Sequence, residues 1–158
     1  MRWSRSGAAR GTFPISTVSG MPYLFDTNAF SETFRPRPNR ALVAWLGTLP
    51  REEQFTSTVV VAELYAAAFR TPSSGYWFLR VEEEILPSCT VLPFDLACAR
   101  SAGEIQGRLR REGKPIGAAD IQIAATALVH SLVVVTANHR HFSRIPGLEL
   151  KVFTPGEP

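Results

Sequence analysis

The chain has only three aspartates, and two of them, Asp26 and Asp120, stand in long stretches with no other charge. Asp26, in "YLFDTN", is the one charged side chain between Arg10 and Glu32. Glu63, in "TVVVAELYAAAF", is alone between Glu53 and Arg70, and Asp120, in "PIGAADIQIAATALV", is alone between Lys114 and Arg140. A carboxylate carried among apolar residues must be hydrogen-bonded, paired or bound to a cation, because an uncompensated buried charge is costly. No lysine or arginine lies near any of the three in sequence. If the three converge, mutual repulsion raises their pKa values unless a cation compensates. Hard carboxylate oxygens on a shared site suit Mg²⁺ or Mn²⁺.

Each acid also has a plainer role open to it. Asp26 can cap a helix that follows it, since Asp, Thr and Asn are all favoured at a helix start. Asp120 falls in the first turn of a predicted helix, where the macrodipole favours an acid. Glu63 has Val59, Val60, Ala66 and Ala67 at the three- and four-residue spacings, yet a helix can turn one glutamate to water. Other chemistries lack their residues. Asn28 stands where a phosphatase of the haloacid-dehalogenase type needs a second aspartate. No glycine-rich phosphate loop follows the first strand, and no serine sits in a nucleophile elbow.

The elements that must position these acids alternate. "YLF" reads as a strand running into Asp26. A helix is predicted over 39–49, a short strand over 54–56, and a helix over "STVVVAELYAAAFR" capped by Ser57 or Thr58, with a strand to Val61 as its competitor. "SSGYWFLRVEEEIL" reads as one amphipathic helix stopped by Pro87, and "CTVLPF" as a strand. Asp95 is read only as the cap of the helix "LACARSAGEIQGRLRREG". An alanine-rich helix "GAADIQIAATALVH", a buried strand "SLVVVT" and a last strand "LELKVF" complete the order. Strands alternating with helices predict an α/β fold with a mostly parallel sheet covered on both faces.

Composition narrows the class. At 158 residues with 45% hydrophobic and 20% charged residues, the chain suits one globular domain. Its longest apolar runs fall short of the ~20 residues a membrane-spanning helix needs. Cys89 and Cys98 are too few for a disulfide scaffold and lack zinc-site spacing, so they are expected to be buried free thiols in a reducing cytoplasm. The net charge of +3 does not mark a nucleic-acid binder, because residues 1–20 hold Arg2, Arg5 and Arg10 and no acid. From Met21 onward, 14 basic residues meet 14 acidic ones. The Gly-, Ser- and Arg-rich leader 1–20 reads as disordered, with translation expected to start at Met21, so the domain is taken as 21–158.

In order and spacing, "YLFDTNAFSE", "RPRPNRALVAWL", "STVVVAELYAAAFR", "VLPFDLACA", "GKPIGAADIQIAATAL" and "VVVTANHRHF" resemble a PIN-domain protein. More narrowly, they resemble a VapC-type toxin of the FitB-like branch of bacterial toxin–antitoxin pairs, over about residues 22–154. The resemblance implies a three-layer α/β/α sandwich with acids gathered at the carboxyl edge of the sheet. It implies Mg²⁺- or Mn²⁺-dependent endoribonuclease activity on tRNA or ribosomal RNA, a small VapB-like antitoxin laid in an apolar groove, and a homodimer. The family acids map onto Asp26, Glu63 and Asp120. The fourth acidic position is Asn138, which carries no charge. His141 stands where members often have an acid before the phenylalanine, and Ala137 where an arginine often follows the threonine.

On that reading Asp26, Asp120 and Glu63 gather around a cation, with Asp26 and Asp120 as direct ligands and Glu63 holding a metal-bound water or acting as base. Thr27, Asn28, Thr136 and Asn138 orient the waters and ligands around them. RNA would be gripped by Arg108, Arg110, Arg111 and Lys114, at the mouth of the acid cluster, and by Arg140 and Arg144 on the opposite side. His139 and His141, two residues apart without a third histidine, are assigned to RNA phosphate or solvent rather than metal. Two rival readings share the fold: an RNA-processing nuclease without an antitoxin, and a weakly catalytic binding module.

Overall fold

A computed structural model of the chain describes residues 22–156. The leader reading for 1–20 and the start at Met21 lie outside these residues. Five short strands, Tyr23–Phe25 (β1), Gln54–Ser57 (β2), Thr90–Leu92 (β3), Val133–Thr136 (β4) and Leu150–Val152 (β5), form one sheet in the order β3-β2-β1-β4-β5. Every pairing is parallel, with Leu24 of β1 opposite Phe55 of β2 and Val134 of β4. Successive strand residues face opposite sides. All four residues of β4 are buried, so both faces are covered, as an all-parallel sheet requires. The expected α/β/α sandwich is what forms.

The connecting helices are Thr27–Thr33 (α1), Arg40–Leu46 (α2), Thr58–Phe69 (α3), Ser74–Arg80 (α4), Leu96–Arg111 (α5), Ala118–His130 (α6) and His139–Phe142 (α7). Side-chain caps set where several begin. Ser57 Oγ accepts from Val60 N at 3.2 Å, which makes "VVVAEL" the start of α3 and excludes the competing strand. Asn39 Oδ1 accepts from Leu42 N at 2.9 Å, and Asp95 Oδ1 accepts from Cys98 N at 2.9 Å. The Asp95 bond also holds that carboxyl below its ordinary range.

Five elements differ from the sequence expectation, among them the last strand, which shrinks from the whole of "LELKVF" to Leu150–Val152. The helix expected over 39–49 ends at Leu46, because Gly47 caps it and the chain tightens into a turn in which Thr48 N meets Trp45 O at 2.9 Å. The helix expected to run on to Pro87 leaves α geometry after Arg80. A π-type turn over Val81–Ile85 keeps Val81 and Ile85 both buried, and a 3₁₀ turn then takes up Pro87. The strand in "CTVLPF" shrinks to Thr90–Leu92, since Pro93 has no N–H for the ladder. Helix α7 has no counterpart in the sequence reading. Four residues give no periodicity, and α7 exists because Phe142, with no exposed surface, anchors it to the core.

Phe142→Ala is therefore expected to cost about 3–5 kcal/mol, measurable by urea unfolding, and to loosen the segment that carries Asn138 and His141. Three buried side chains are structural. Glu32, 2% exposed, accepts from the backbone N–H of Asn39 at 2.8 Å and of Gly156 at 2.6 Å, tying the chain end to the α1–α2 link. Cys89 and Cys98 are buried free thiols, and burial pushes both thiol pKa values up, away from reactivity. No described helix is long and apolar enough to cross a membrane.

The topology decides where a site belongs. From β1 the chain steps outward through β2 to β3, then returns to lay β4 on the other side of β1. Strand order reverses between β1 and β4, and ligands of open α/β sheets bind beyond the carboxyl ends of strands at such a point. Asp26 immediately follows β1, and Thr136 ends β4.

Candidate active site

Asp26 does both things that were open to it. Its Oδ1 accepts from Ala29 N at 2.8 Å and so caps α1, while its Oδ2 accepts from the Thr136 hydroxyl. Capping is a full part of its role and places the carboxylate at the switch point. The Thr136 hydroxyl is itself held, because it accepts from Asn138 N at 2.8 Å, which directs its proton to Asp26. Asn28 reaches toward Asp26 Oδ2 only at 3.5 Å and is otherwise exposed.

Asp120, in the first turn of α6, approaches from the other side. Its Oδ2 lies 3.3 Å from Asn138 Nδ2 and 2.7 Å from His141 Nδ1. Glu63 enters from α3, and its carboxylate accepts from the Thr27 hydroxyl of α1. A nearly continuous run of contacts thus joins Glu63, Thr27, Asp26, Thr136, Asn138, Asp120 and His141 across the ends of β1 and β4. It is broken only where the backbone links Thr27 to Asp26.

Electrostatics single out Asp26. It is 2% exposed, and burial is the main cause that lifts its pKa from 3.8 to about 6. The bonds from Thr136, Ala29 and Asn28 pull the other way, and the Asp120 charge adds to the rise. Among the described residues neither Asp26 nor Glu63 is paired with a lysine or arginine; the ion pairs are Arg35–Glu32, Arg80–Glu84, Arg108–Glu112 and His141–Asp120. No set of three His, Cys, Asp or Glu side chains stands close enough to hold one ion among the described residues. Asp26 and Asp120 feel each other's charge, and Glu63 lies beyond Thr27. This arrangement fits Mg²⁺ or Mn²⁺ better than a cage-bound metal, because Mg²⁺ takes one or two carboxylates and keeps several waters. Each Asp26 oxygen has accepted one good bond and retains a lone pair.

The basic residues fall differently from expectation. Arg110, Arg111 and Lys114 are exposed around the end of α5, but Arg108 is tied to Glu112 at 2.8 Å. Arg144, expected on the opposite side, donates to the Pro115 carbonyl at 3.3 Å. The segment after α7 and the turn before α6 therefore share one side of the site, with Arg140 exposed on α7 itself. The correction follows from α7, which folds the "NHRHFSR" stretch back onto that turn. His141, assigned to RNA phosphate or solvent, instead meets Asp120. Its signal was the Asn138–His141 spacing of three, which becomes one face only once 139–142 is helical.

A cavity of 340 Å³ is lined by Phe34, Leu64, Ala68, Trp77 and Val81 among others. It lies between α1, α3 and α4. Ser31 and Leu64 of its wall sit four and one residues along the chain from Thr27 and Glu63.

The chain matches the PIN domain family over residues 23–148. It is 36% identical over 140 residues to the VapC ribonuclease Y4jK of Sinorhizobium fredii, covering 85% of this chain and 98% of that one. It is 39% identical over 137 residues to the toxin FitB of Neisseria gonorrhoeae, covering 84% and 96%. Among solved structures, FitAcB from Neisseria gonorrhoeae superposes with a TM-score of 0.75 at 37% identity, over 84% of this chain and 97% of that one. Family match, relatives and fold agree: the chain belongs to the PIN-domain family, in its VapC and FitB toxin branch.

Proposed function

We propose that this protein is an endoribonuclease toxin that cleaves RNA phosphodiester bonds with the help of Mg²⁺ or Mn²⁺ and is held inactive by a small antitoxin. The observation that carries the reading is Asp26, a buried carboxylate at the switch point whose charge no described Lys or Arg offsets. Its relatives' names support the ribonuclease and toxin assignments. The name of a relative, the tRNA(fMet)-specific endonuclease VapC of Shigella flexneri, supports tRNA as substrate, and the resemblance alone supports ribosomal RNA and a homodimer. The buried free thiols agree with action in the cytoplasm.

Asp26 and Asp120 would hold the ion, and when bound it supplies neutralising charge at the phosphate and acidifies the attacking water. Thr136 fixes the orientation of Asp26, and Asn138 fixes Thr136 while bracing Asp120. Glu63 keeps lone pairs free beyond its bond from Thr27, enough to orient a water and take its proton. Arg110, Arg111, Lys114, Arg140 and Arg144 line one side, where they can grip phosphates without reading sequence. The apolar cavity between α1, α3 and α4 is the seat for the antitoxin. Its wall residues Ser31 and Leu64 belong to α1 and α3, the helices that carry Thr27 and Glu63, so an occupant packs against the elements that position them.

Incubating RNA with the purified protein tests this directly. Cleavage is expected in Mg²⁺ or Mn²⁺ and is expected to stop with EDTA, with Asp26→Ala and with Asp120→Ala. Cleavage that survives EDTA or both substitutions would defeat the mechanism. RNA binding without any cleavage would favour the binding module instead.

A further inference from the structure

Glu32 is a buried carboxylate with no part in the proposed chemistry, and every contact it makes concerns one short segment. Its Oε1 accepts from Asn39 N at 2.8 Å and from Gly156 N at 2.6 Å, while its Oε2 meets Arg35 Nε at 3.3 Å. Arg35 Nη1 donates in turn to the Gly156 carbonyl at 3.0 Å, and Asn39 Nδ2 to the Thr154 carbonyl at 2.6 Å. An acid thus holds the N–H of Gly156 and a base holds its C=O. The fit is close. A Cβ on Gly156 would run into the Arg37 carbonyl oxygen and stand 2.8 Å from the Pro38 carbonyl carbon, so glycine alone lets the two backbones meet. At its other end the segment leaves the sheet through Phe153, whose N–H donates to the Thr136 carbonyl at 3.1 Å. Thr154–Gly156 is a strap fastened at both ends.

What it holds is the link between α1 and α2. That link contains Pro36 and Pro38, which have no N–H to bond its own turns. Its residues Phe34, Arg35 and Pro36 wall the 340 Å³ cavity. The Phe34 ring lies 6.0 Å from that of Trp77, which also lines the cavity, and 4.2 Å beneath the Arg80 guanidinium. A shift of the link therefore changes the distance between the cavity's two sides. Arg35 belongs to both structures: its guanidinium grips Glu32 and Gly156, and its side chain lines the cavity. Releasing the strap takes a partner from a buried carboxylate and an acceptor from Arg35, and both losses fall on that wall.

Resting on the reading of this cavity as the seat of a partner segment, we propose that the Thr154–Gly156 strap sets the cavity's shape, so that occupation of the cavity and fastening of Gly156 in the Glu32 cradle strengthen each other. Such coupling is reciprocal: the strap holds the occupant, and an occupant pressed against Phe34 and Arg35 holds the strap.

The dye anilinonaphthalene sulfonate serves as the probe on the full chain, since an apolar body with one negative charge suits an apolar cavity with Arg35 in its wall. Nuclear magnetic resonance locates it and follows amide exchange. Wild type is expected to bind the dye with shifts at the Ala67 and Ala68 amides, and bound dye is expected to slow exchange of the Gly156 and Asn39 amides. Gly156→Ala is expected to weaken dye binding by roughly 5- to 150-fold, the usual span of coupling between two sites. Glu32→Gln keeps an acceptor for the two N–H groups but turns an amide NH2 toward Arg35 Nε, and is expected to weaken binding by less. The Ala29 amide, bonded to Asp26, stays protected wherever a variant is folded. Unchanged dye affinity in a folded Gly156→Ala, or no slowing of the Gly156 amide when dye binds wild type, overturns the coupling and leaves the seat standing. Where Gly156→Ala loses the Ala29 protection, the slowing in wild type decides alone. A wild type that binds no dye in the cavity overturns the seat, and the inference with it.

Discussion

Asp26→Asn is expected to lower RNA cleavage by roughly 10³-fold, at least the loss that follows removal of one preorganised electrostatic group, and to make the folded chain more stable at pH 7. The second half separates this account from a purely structural aspartate. Asparagine caps helices as well as aspartate does, so the bond from Ala29 N survives the change. What disappears is the larger cost of a buried charge, together with the smaller gain of the bond from the Thr136 hydroxyl, which an amide NH2 in place of Oδ2 cannot accept. The Asp26 carboxyl titrates near 3.8 when unfolded and about 6 when folded. Below the first value both states are protonated and the group is neutral to stability. Between the two the folded state holds the extra proton, so stability falls as pH rises. Above about 6 the penalty is complete, at about 3 kcal/mol as an upper figure. Wild type should therefore lose stability relative to Asp26→Asn across that window, reaching a deficit of several degrees in melting temperature at pH 7. Thermal melts of both proteins from pH 4 to 7.5 measure this. A variant that is less stable at pH 7 would mean that the protein itself compensates the charge.

Asp120→Asn is expected to cause a similar loss of cleavage, again roughly 10³-fold, with the opposite effect on stability. Asp120 stands in the first turn of α6 with its side chain 23% exposed. There its charge meets the positive end of the helix dipole, an interaction worth about 0.3–1 kcal/mol. Losing that charge should lower stability slightly, and His141 loses its charged neighbour as well. The two substitutions thus share one functional outcome and split in stability. A common loss of folding cannot produce that pattern. Parallel cleavage assays and urea titrations give the comparison; equal destabilisation by both would remove the distinction between a buried ligand and a rim ligand.

What the sequence made legible follows from how local each signal was. "VVVT" was a buried strand because four apolar or β-branched residues in a row suit only a sheet covered on both sides, and β4 is buried throughout. Ser57, Asn39 and Asp95 marked helix starts because a cap acts within three residues. The solitary acids stood out for a similar reason: isolation from other charge can be seen in one dimension. Their arrangement could not, because Asp26, Glu63 and Asp120 meet only through contacts spanning tens of residues, such as Thr136 to Asp26 and Thr27 to Glu63.

The misses have physical causes too. Helix α7 is four residues long and is held by Phe142 in the core rather than by its own pattern. With α7 unseen, Arg144 was placed across the site from Lys114, whereas it touches Pro115, and His141 was assigned to RNA phosphate or solvent although it touches Asp120. The change from α to π geometry at Val81 was likewise hidden, because it answers to where Val81 and Ile85 must pack and not to a breaker in the sequence. Arg108 looked like one of four free cations until the helix brought Glu112 beside it.

The central claim is that a divalent ion compensates the buried charge of Asp26, and the melting temperature at pH 7 with and without added Mn²⁺ tests it most directly. Binding to the folded state alone stabilises it in proportion to the logarithm of ion concentration over its dissociation constant. Mn²⁺ is expected to raise the melting temperature of the wild type, closing most of its deficit, while leaving Asp26→Asn nearly unmoved. A wild type that does not respond, or a variant that responds equally, would contradict the account.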